Sequence, residues 1–303
     1  MKKVFNASGV IVIMAILSLL VFSCKNENET VIPLIDYLLT EELYEYTGGG
    51  TEGWRDSIAM SYNTLKQLVE MEGQYETTSL QYNAEGKLIR ADIISSGANK
   101  MSSFYILFTW ESDMVTARRY YGPNEPDDSK LVFVLNNLDE IIKVEKYYLM
   151  PSKLEEWFLE SYLNFSWTGN NLVEVEEYTF PYTKGGRDPY LFAEKAKEQE
   201  YYLFVKWEIT YDNKLNPFIK YPGLGMIYVM DMPYIFLSEN NVASLIEYWY
   251  YGETTPVETY NYTVTNQYNN DDMVVDIEYY NFQDYGQGST QTYTRTWEIH
   301  YKN

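Results

Sequence analysis

The chain has 303 residues, with 23 basic against 44 acidic side chains, a formal net charge of −21, one cysteine, one histidine and 32 tyrosines. Such a charge repels nucleic acid and anionic lipid headgroups, the single cysteine leaves no internal disulfide, and one histidine excludes a histidine-rich zinc site. The stock of aromatic residues favours strands over helices and argues against disorder.

The first element is a leader. Met1-Lys2-Lys3 is followed by a mostly apolar stretch over 9–22 and then Ser23-Cys24. A basic start, an apolar core of this length and a small residue before the cut predict a secretory signal peptide. Val21-Phe22-Ser23-Cys24 resembles the lipobox of bacterial lipoproteins. The resemblance implies that Cys24 becomes an acylated N-terminus and that the mature chain reaches a membrane through its lipid. Each buried methylene contributes about 0.8 kcal/mol, so several acyl chains hold a protein on a bilayer without a spanning segment. Lys25-Asn26-Glu27-Asn28-Glu29-Thr30 then reads as a tether. An acidic stretch in this place resembles the surface-export signal of Bacteroidetes lipoproteins, which implies the outer face of the outer membrane. The organisation expected is a signal peptide over 1–23, a lipidated tether over 24–31 and a single β-rich domain of repeat-like hairpins over 32–303.

Leu34-Ile35-Asp36-Tyr37-Leu38-Leu39 fits a helix or a strand, and Gly48-Gly49-Gly50 breaks the chain. From about residue 57 one pattern recurs: an aromatic strand, a polar turn, an aliphatic strand. Tyr62-Asn63, Tyr82-Asn83, Trp110-Glu111-Ser112-Asp113, Asn136-Asn137 and Trp167-Thr168-Gly169-Asn170-Asn171 mark the first five turns. Asn, Asp and Gly tolerate the positive φ that a tight hairpin needs. Recurrence at roughly 20–35 residues suggests a repeat architecture. Tyr211-Asp212-Asn213-Lys214 and Tyr268-Asn269-Asn270-Asp271-Asp272 continue the series. Two helix candidates interrupt it, one opened by Asp188-Pro189 and one by the capping box Ser152-Lys153-Leu154-Glu155.

The strands alternate. Val205, Trp207 and Ile209 oppose Lys206, Glu208 and Thr210; Met273, Val275, Ile277 and Tyr279 oppose Asp276 and Glu278; Arg295, Trp297 and Ile299 oppose Thr296, Glu298 and His300. Period-two alternation means one buried face and one solvated face, as in an antiparallel sheet. The fold expected is all-β: an antiparallel meander of repeat-like hairpins in one large twisted or curved sheet, with one or two short helices. A two-sheet sandwich is the alternative.

Tyr211-Asp212-Asn213-Lys214-Leu215-Asn216-Pro217-Phe218, followed by Leu237-Ser238-Glu239-Asn240-Asn241-Val242, resembles a "YDNKxNPF … LSxNNV" signature of uncharacterised Bacteroidetes outer-membrane or surface lipoproteins. The hairpins are also similar to YD-type, Rhs-like repeats, in which Tyr-Asp opens a turn. The resemblance implies a fold and a location, and no reaction. Read physically, Asp212 and Asn213 make a turn, Pro217 stops further pairing, and pairing resumes near Asn241.

Candidate chemistry is sparse. His300 sits on a polar strand face, which disfavours a Ser-His-Asp arrangement. Glu174 with Glu176, or Asp276 with Glu278, share strand faces and could pair as carboxylates. No metal site and no cofactor are expected. Tyr248, Trp249, Tyr250 and Tyr251 form the densest aromatic cluster, a possible sugar-stacking platform. Ser57, in Asp56-Ser57-Ile58, matches an O-glycosylation acceptor pattern of the Bacteroidetes type. The reading is a lipid-anchored cell-envelope protein, a non-enzymatic binding or structural module. Its partners are the membrane through the lipid and a glycan or an envelope protein, without nucleic acid. The alternatives are a surface glycan-binding accessory protein and a carboxylate-dependent hydrolase.

Overall fold

Asparagine sets the turns of this fold. A computed structural model describes residues 37–43, 54–74, 76–95, 103–122, 125–149, 156–180, 200–230, 233–284 and 290–301. The leader with Cys24, the tether, Gly48-Gly49-Gly50 and both helix candidates lie outside them. Four connections are the same five-residue loop, opened by Asn63, Asn83, Asn136 and Asn269. In each, the Asn side-chain oxygen accepts hydrogen bonds from the N–H groups two and four residues on, at 2.9 or 3.0 Å. The fourth residue has a left-handed backbone: Lys66 (φ 63°), Gly86 (81°), Asp139 (62°) and Asp272 (59°). A turn followed by one left-handed residue matches the right-handed twist of the flanking strands. Two tighter hairpins turn on Ser112-Asp113 and Gly169-Asn170.

The strands so joined are β1 (Tyr37–Leu43), β2 (Trp54–Tyr62), β3 (Leu68–Glu72), β4 (Glu76–Tyr82), β5 (Leu88–Ser95), β6 (Phe104–Glu111), β7 (Met114–Gly122) and β8 (Glu125–Leu135). They continue as β9 (Ile141–Leu149), β10 (Trp157–Thr168), β11 (Asn171–Thr179), β12 (Tyr202–Leu215), β13 (Asn240–Trp249), β14 (Glu258–Tyr268), β15 (Val274–Asp284) and β16 (Thr290–Tyr301). From β2 to β16 they form one antiparallel meander, each beside its sequence neighbour. β1 pairs with β2 on one side and β16 on the other, so it joins the two edges and closes the sheet. The segment Leu34–Leu39, open between helix and strand in the sequence, thus contributes to a strand, and the sheet is single, not a two-sheet sandwich.

The connections after the even-numbered strands are mostly tight and share one end of the barrel, here the turn end. The chain enters at that end with Tyr37 and returns there with Tyr301, its register partner. Four aromatic side chains reinforce it. Tyr82 donates to the Leu68 carbonyl at 2.8 Å, Trp110 to Leu88 at 2.7 Å, Trp167 to Ile141 at 2.9 Å and Tyr211 to Leu172 at 2.5 Å. The ring packs inward while its polar tip ties the adjacent strand, which is why an aromatic residue precedes the turns at Asn83, Ser112 and Gly169.

Inside the barrel most side chains are apolar. Val115, Phe133, Val144, Leu172, Val175 and Val274 are fully buried, each contributing about 1.5–3 kcal/mol by leaving water. The alternation of β14 is clean, with Tyr262, Val264, Asn266 and Tyr268 inward. In β15 the phase differs from the sequence expectation. Val274 is buried where Val275 was expected, and Met273 belongs to the turn, because the register slips between Gln267 and Tyr268. Ile277 and Tyr279 point inward as expected.

β12 corrects a second expectation. Asp212 and Asn213 make no turn: the strand runs through them to Leu215, irregularly paired beyond Tyr211. Asp212 instead accepts from Lys214 N–H at 2.8 Å and from the side chains of Asn266 and Tyr268 on β14. The hairpin is replaced by an insertion: a 3₁₀ turn (Pro217–Lys220), α1 (Pro222–Ile227) and α2 (Pro233–Leu237). Pairing resumes at Asn240, as the proline predicted.

Candidate binding cleft

The insertion plugs the turn end. Phe218, Tyr221, Leu224, Val229, Tyr234 and Ile235 are buried and belong to the barrel core. Tyr221 lies against Tyr62 of β2 (ring centroids 5.7 Å apart), and Tyr234 against Tyr279 of β15 (6.4 Å). A Cβ on Gly223 would sit 3.1 Å from Leu88 of β5. The segment therefore meets the wall on several sides of the ring.

The residues of the lipoprotein-like signature are its fastenings. Asn216, 3% exposed, accepts from Phe218 N–H at 3.0 Å and donates to the Ile235 and Ser238 carbonyls at 2.6 and 2.9 Å. Ser238 donates to the Tyr211 hydroxyl at 2.7 Å and accepts from Leu172 N–H at 3.1 Å. Asn240 exchanges two hydrogen bonds with Asn171, both at 2.9 Å. Burial pushes the Tyr211 hydroxyl well above its ordinary pKa, so it stays a neutral donor. The signature thus encodes a stapled plug.

Between plug and wall lies a cleft of about 510 Å³. Its floor is apolar, with Ile141, Trp167, Ile219, Met226 and Phe236; Asp139, Glu140 and Glu239 stand on its rim. Two rim acids are already fixed: Glu140 accepts from Asn136 at 2.7 Å and Glu239 from Asn170 at 2.8 Å. A cleft of this size and lining accommodates a small apolar group, and its acids favour a positively charged end. No sequence pattern marks it, because it exists only where the plug crosses the wall.

The residues singled out in the sequence fall elsewhere. Ser57 is a β2 residue in register with Thr40, in a strand and not in a turn. His300 is paired with Leu38. Tyr248 points outward, its hydroxyl donating to Glu208 at 3.1 Å. Trp249 is half-buried against Phe204 (5.2 Å) and Tyr251 (5.5 Å). Only Tyr251 of the four is strongly exposed, at 48%. Strand alternation thus turns Tyr248 away from Trp249, while Tyr251, in the turn after β13, comes back to the Trp249 side. The acid pairs lie on the outer wall, where Glu174 holds Lys206 at 2.7 Å and Glu176 accepts from Tyr178 at 3.2 Å. Among the described residues no group of His, Cys, Asp and Glu is arranged to hold a metal ion.

Two glutamates that the sequence did not mark are half-buried on the inner side of the wall. Burial raises the pKa of Glu247, against a hydrogen bond from Tyr262 at 3.1 Å and the indoles of Trp207 and Trp249. Burial also raises that of Glu177, with Glu160 adding to the rise and Lys146 opposing it. Lys146 itself pairs with Glu160 at 2.8 Å.

No protein-family model matches the chain, and no curated protein matches it in sequence. Among solved structures, the chain is similar to a crystal structure described as a porin-like protein from Bacteroides uniformis. The TM-score is 0.52 at 12% identity, over 88% of this chain and 98% of the other. At that identity the likeness is one of fold.

Proposed function

We propose that this chain is a lipid-anchored, non-enzymatic binding module of the bacterial cell envelope, and that its barrel stands in water and conducts nothing. One observation carries the reading: the polarity of the wall. A membrane-spanning barrel turns apolar residues outward and polar ones inward. Here the inward residues are mostly aliphatic and aromatic, and one mouth is plugged. The outward face carries ion pairs: Arg90 with Asp92 (2.6 Å), Lys143 with Glu145 (2.7 Å), and Lys206 with Glu174 and Glu208 (2.7 and 2.9 Å). One Arg or Lys on a lipid-facing strand costs about 2–4 kcal/mol at mid-membrane. The likeness to a porin-like protein of Bacteroides agrees with an envelope location, and the lipid on Cys24 supplies the attachment.

The test is to express the chain in its native type of host with and without Cys24→Ala. The wild type is expected to incorporate labelled fatty acid and to fractionate with the outer membrane. The variant is expected to lose the label and leave that fraction. The barrel without residues 1–24 is expected to stay monodisperse without detergent. A detergent requirement, or ion conductance in planar bilayers, would overturn the reading.

A second reading, a surface glycan-binding accessory protein, is favoured by aromatic rings on the outer wall. Tyr105 stacks on Tyr120 at 5.0 Å and Tyr162 on Tyr178 at 4.9 Å.

A further inference from the structure

The outer wall carries a ladder in which cations and rings alternate across β5 to β10. Arg90 lies 4.0 Å from the Tyr105 ring, and Tyr105 stacks on Tyr120 at an angle of 3°. Arg118 follows, 5.8 Å from Tyr120 and 5.0 Å from Trp157. Lys130 then lies 4.4 Å from Trp157 and 5.2 Å from Tyr147. Strand register builds the ladder, since Arg118 is directly opposite Lys130, and Lys130 opposite Tyr147.

The step between Arg118 and Lys130 is unlike the rest. Arg90 has Asp92, and Lys143 has Glu145. Among the described residues neither Arg118 nor Lys130 has a carboxylate at ion-pair distance, and Arg118 Nε is buried without a hydrogen-bond partner. Burial and the charge of Arg118 both lower the pKa of Lys130. Like charges directly opposite on a sheet destabilise it. Acids are not scarce in a chain with 44 of them against 23 basic residues. Two adjacent cations left unneutralised in such a protein, framing a Trp face, make a site for an external anion.

We propose that Arg118, Lys130 and Trp157 bind an anionic polysaccharide, with a carboxylate or sulfate between the two cations and the sugar faces against Trp157, Tyr120 and Tyr147. This deepens the glycan-binding reading and rests on it. A guanidinium grips a carboxylate or sulfate through paired N–H donors, and the apolar face of a sugar ring suits an indole. Nucleic acid also offers rings and anions, but it carries one charge per nucleotide into the field of a protein at −21. A polymer with sparser charge fits two cations set among acids.

The test uses the barrel lacking residues 1–24, with gellan and highly methyl-esterified pectin as sparsely charged anionic probes, dextran as the neutral probe and oligo-dT as the nucleic-acid probe, in affinity electrophoresis and calorimetry. An anionic glycan is expected to bind, to weaken with salt, and to lose about tenfold or more in Arg118→Gln, Lys130→Gln and Trp157→Ala, the scale of one charged hydrogen bond. Lys130→Gln removes the repulsion, so its melting temperature is expected to equal or exceed that of the wild type, which separates lost binding from lost folding. Equal binding of dextran, or loss only in Tyr251→Ala, would overturn this site while leaving glycan binding standing. Tighter binding of oligo-dT would overturn it in favour of nucleic acid. No binding of any glycan by the wild type would end both.

Discussion

Glu247 shows what one residue contributes when a wall position that should be apolar is not. Its backbone is opposite Trp207 and Tyr260, inside the barrel, and Tyr262 donates to its carboxylate. Burial raises its folded pKa above the unfolded value. The native state therefore binds this proton more tightly than the unfolded chain does. Above the raised value the carboxylate is a net penalty on folding, and the penalty is relieved as pH falls through that value toward about 4.3. Glu145 and Glu208, whose pKa values are lowered mainly by lysine partners against burial, work with the opposite sign. Only the difference from a variant isolates Glu247. We expect Glu247→Gln to be as stable as the wild type or more so at pH 7, and to lack the part of the acid-side gain that Glu247 supplies. Urea midpoints at pH 5 and pH 7 check this; an identical pH dependence in both proteins would refute it.

At the scale of elements, the plug and the hairpins differ in how far they can be read from sequence. Each Asn-opened loop is local: the acceptor oxygen and the N–H groups it takes lie within five residues, so Tyr62-Asn63 and Tyr82-Asn83 announce their turns. The three non-glycine residues Lys66, Asp139 and Asp272, at φ 63°, 62° and 59°, were the less obvious part, since only the loop type demands that backbone there. At Tyr211-Asp212 the same local cue misleads, because the side chains that bond Asp212 are on β14, more than 50 residues away, and no local pattern encodes them. Arg118 and Lys130 were illegible for the same reason, since register alone sets them opposite each other. The plug is held chiefly through Asn216. Replacing it with alanine strands two carbonyls and an N–H in a dry site, at a cost of about 2–3 kcal/mol. We expect Asn216→Ala to lower the urea midpoint and to speed amide exchange within 217–237 while β7 to β9 keep their protection. Unchanged exchange in that segment would show that the plug is held by packing alone.

For the molecule as a whole, the barrel depends on a strand at each end of the chain. Without β16, both β15 and β1 would show unpaired edges, which recruit other chains. Deleting residues 290–303 is accordingly expected to give oligomers and light scattering, not a weakened monomer; a monodisperse product of unchanged melting temperature would refute this. The seam also orders the birth of the protein. A chain made from its N-terminus delivers β1 before β16, so the founding strand stands with one flank bare until β16 emerges. The founding strand and the last sit side by side, at the end where the polypeptide comes in. A short linker between them would turn a late long-range encounter into an early local one, and relocating the termini to any Asn-opened loop would leave the ring intact.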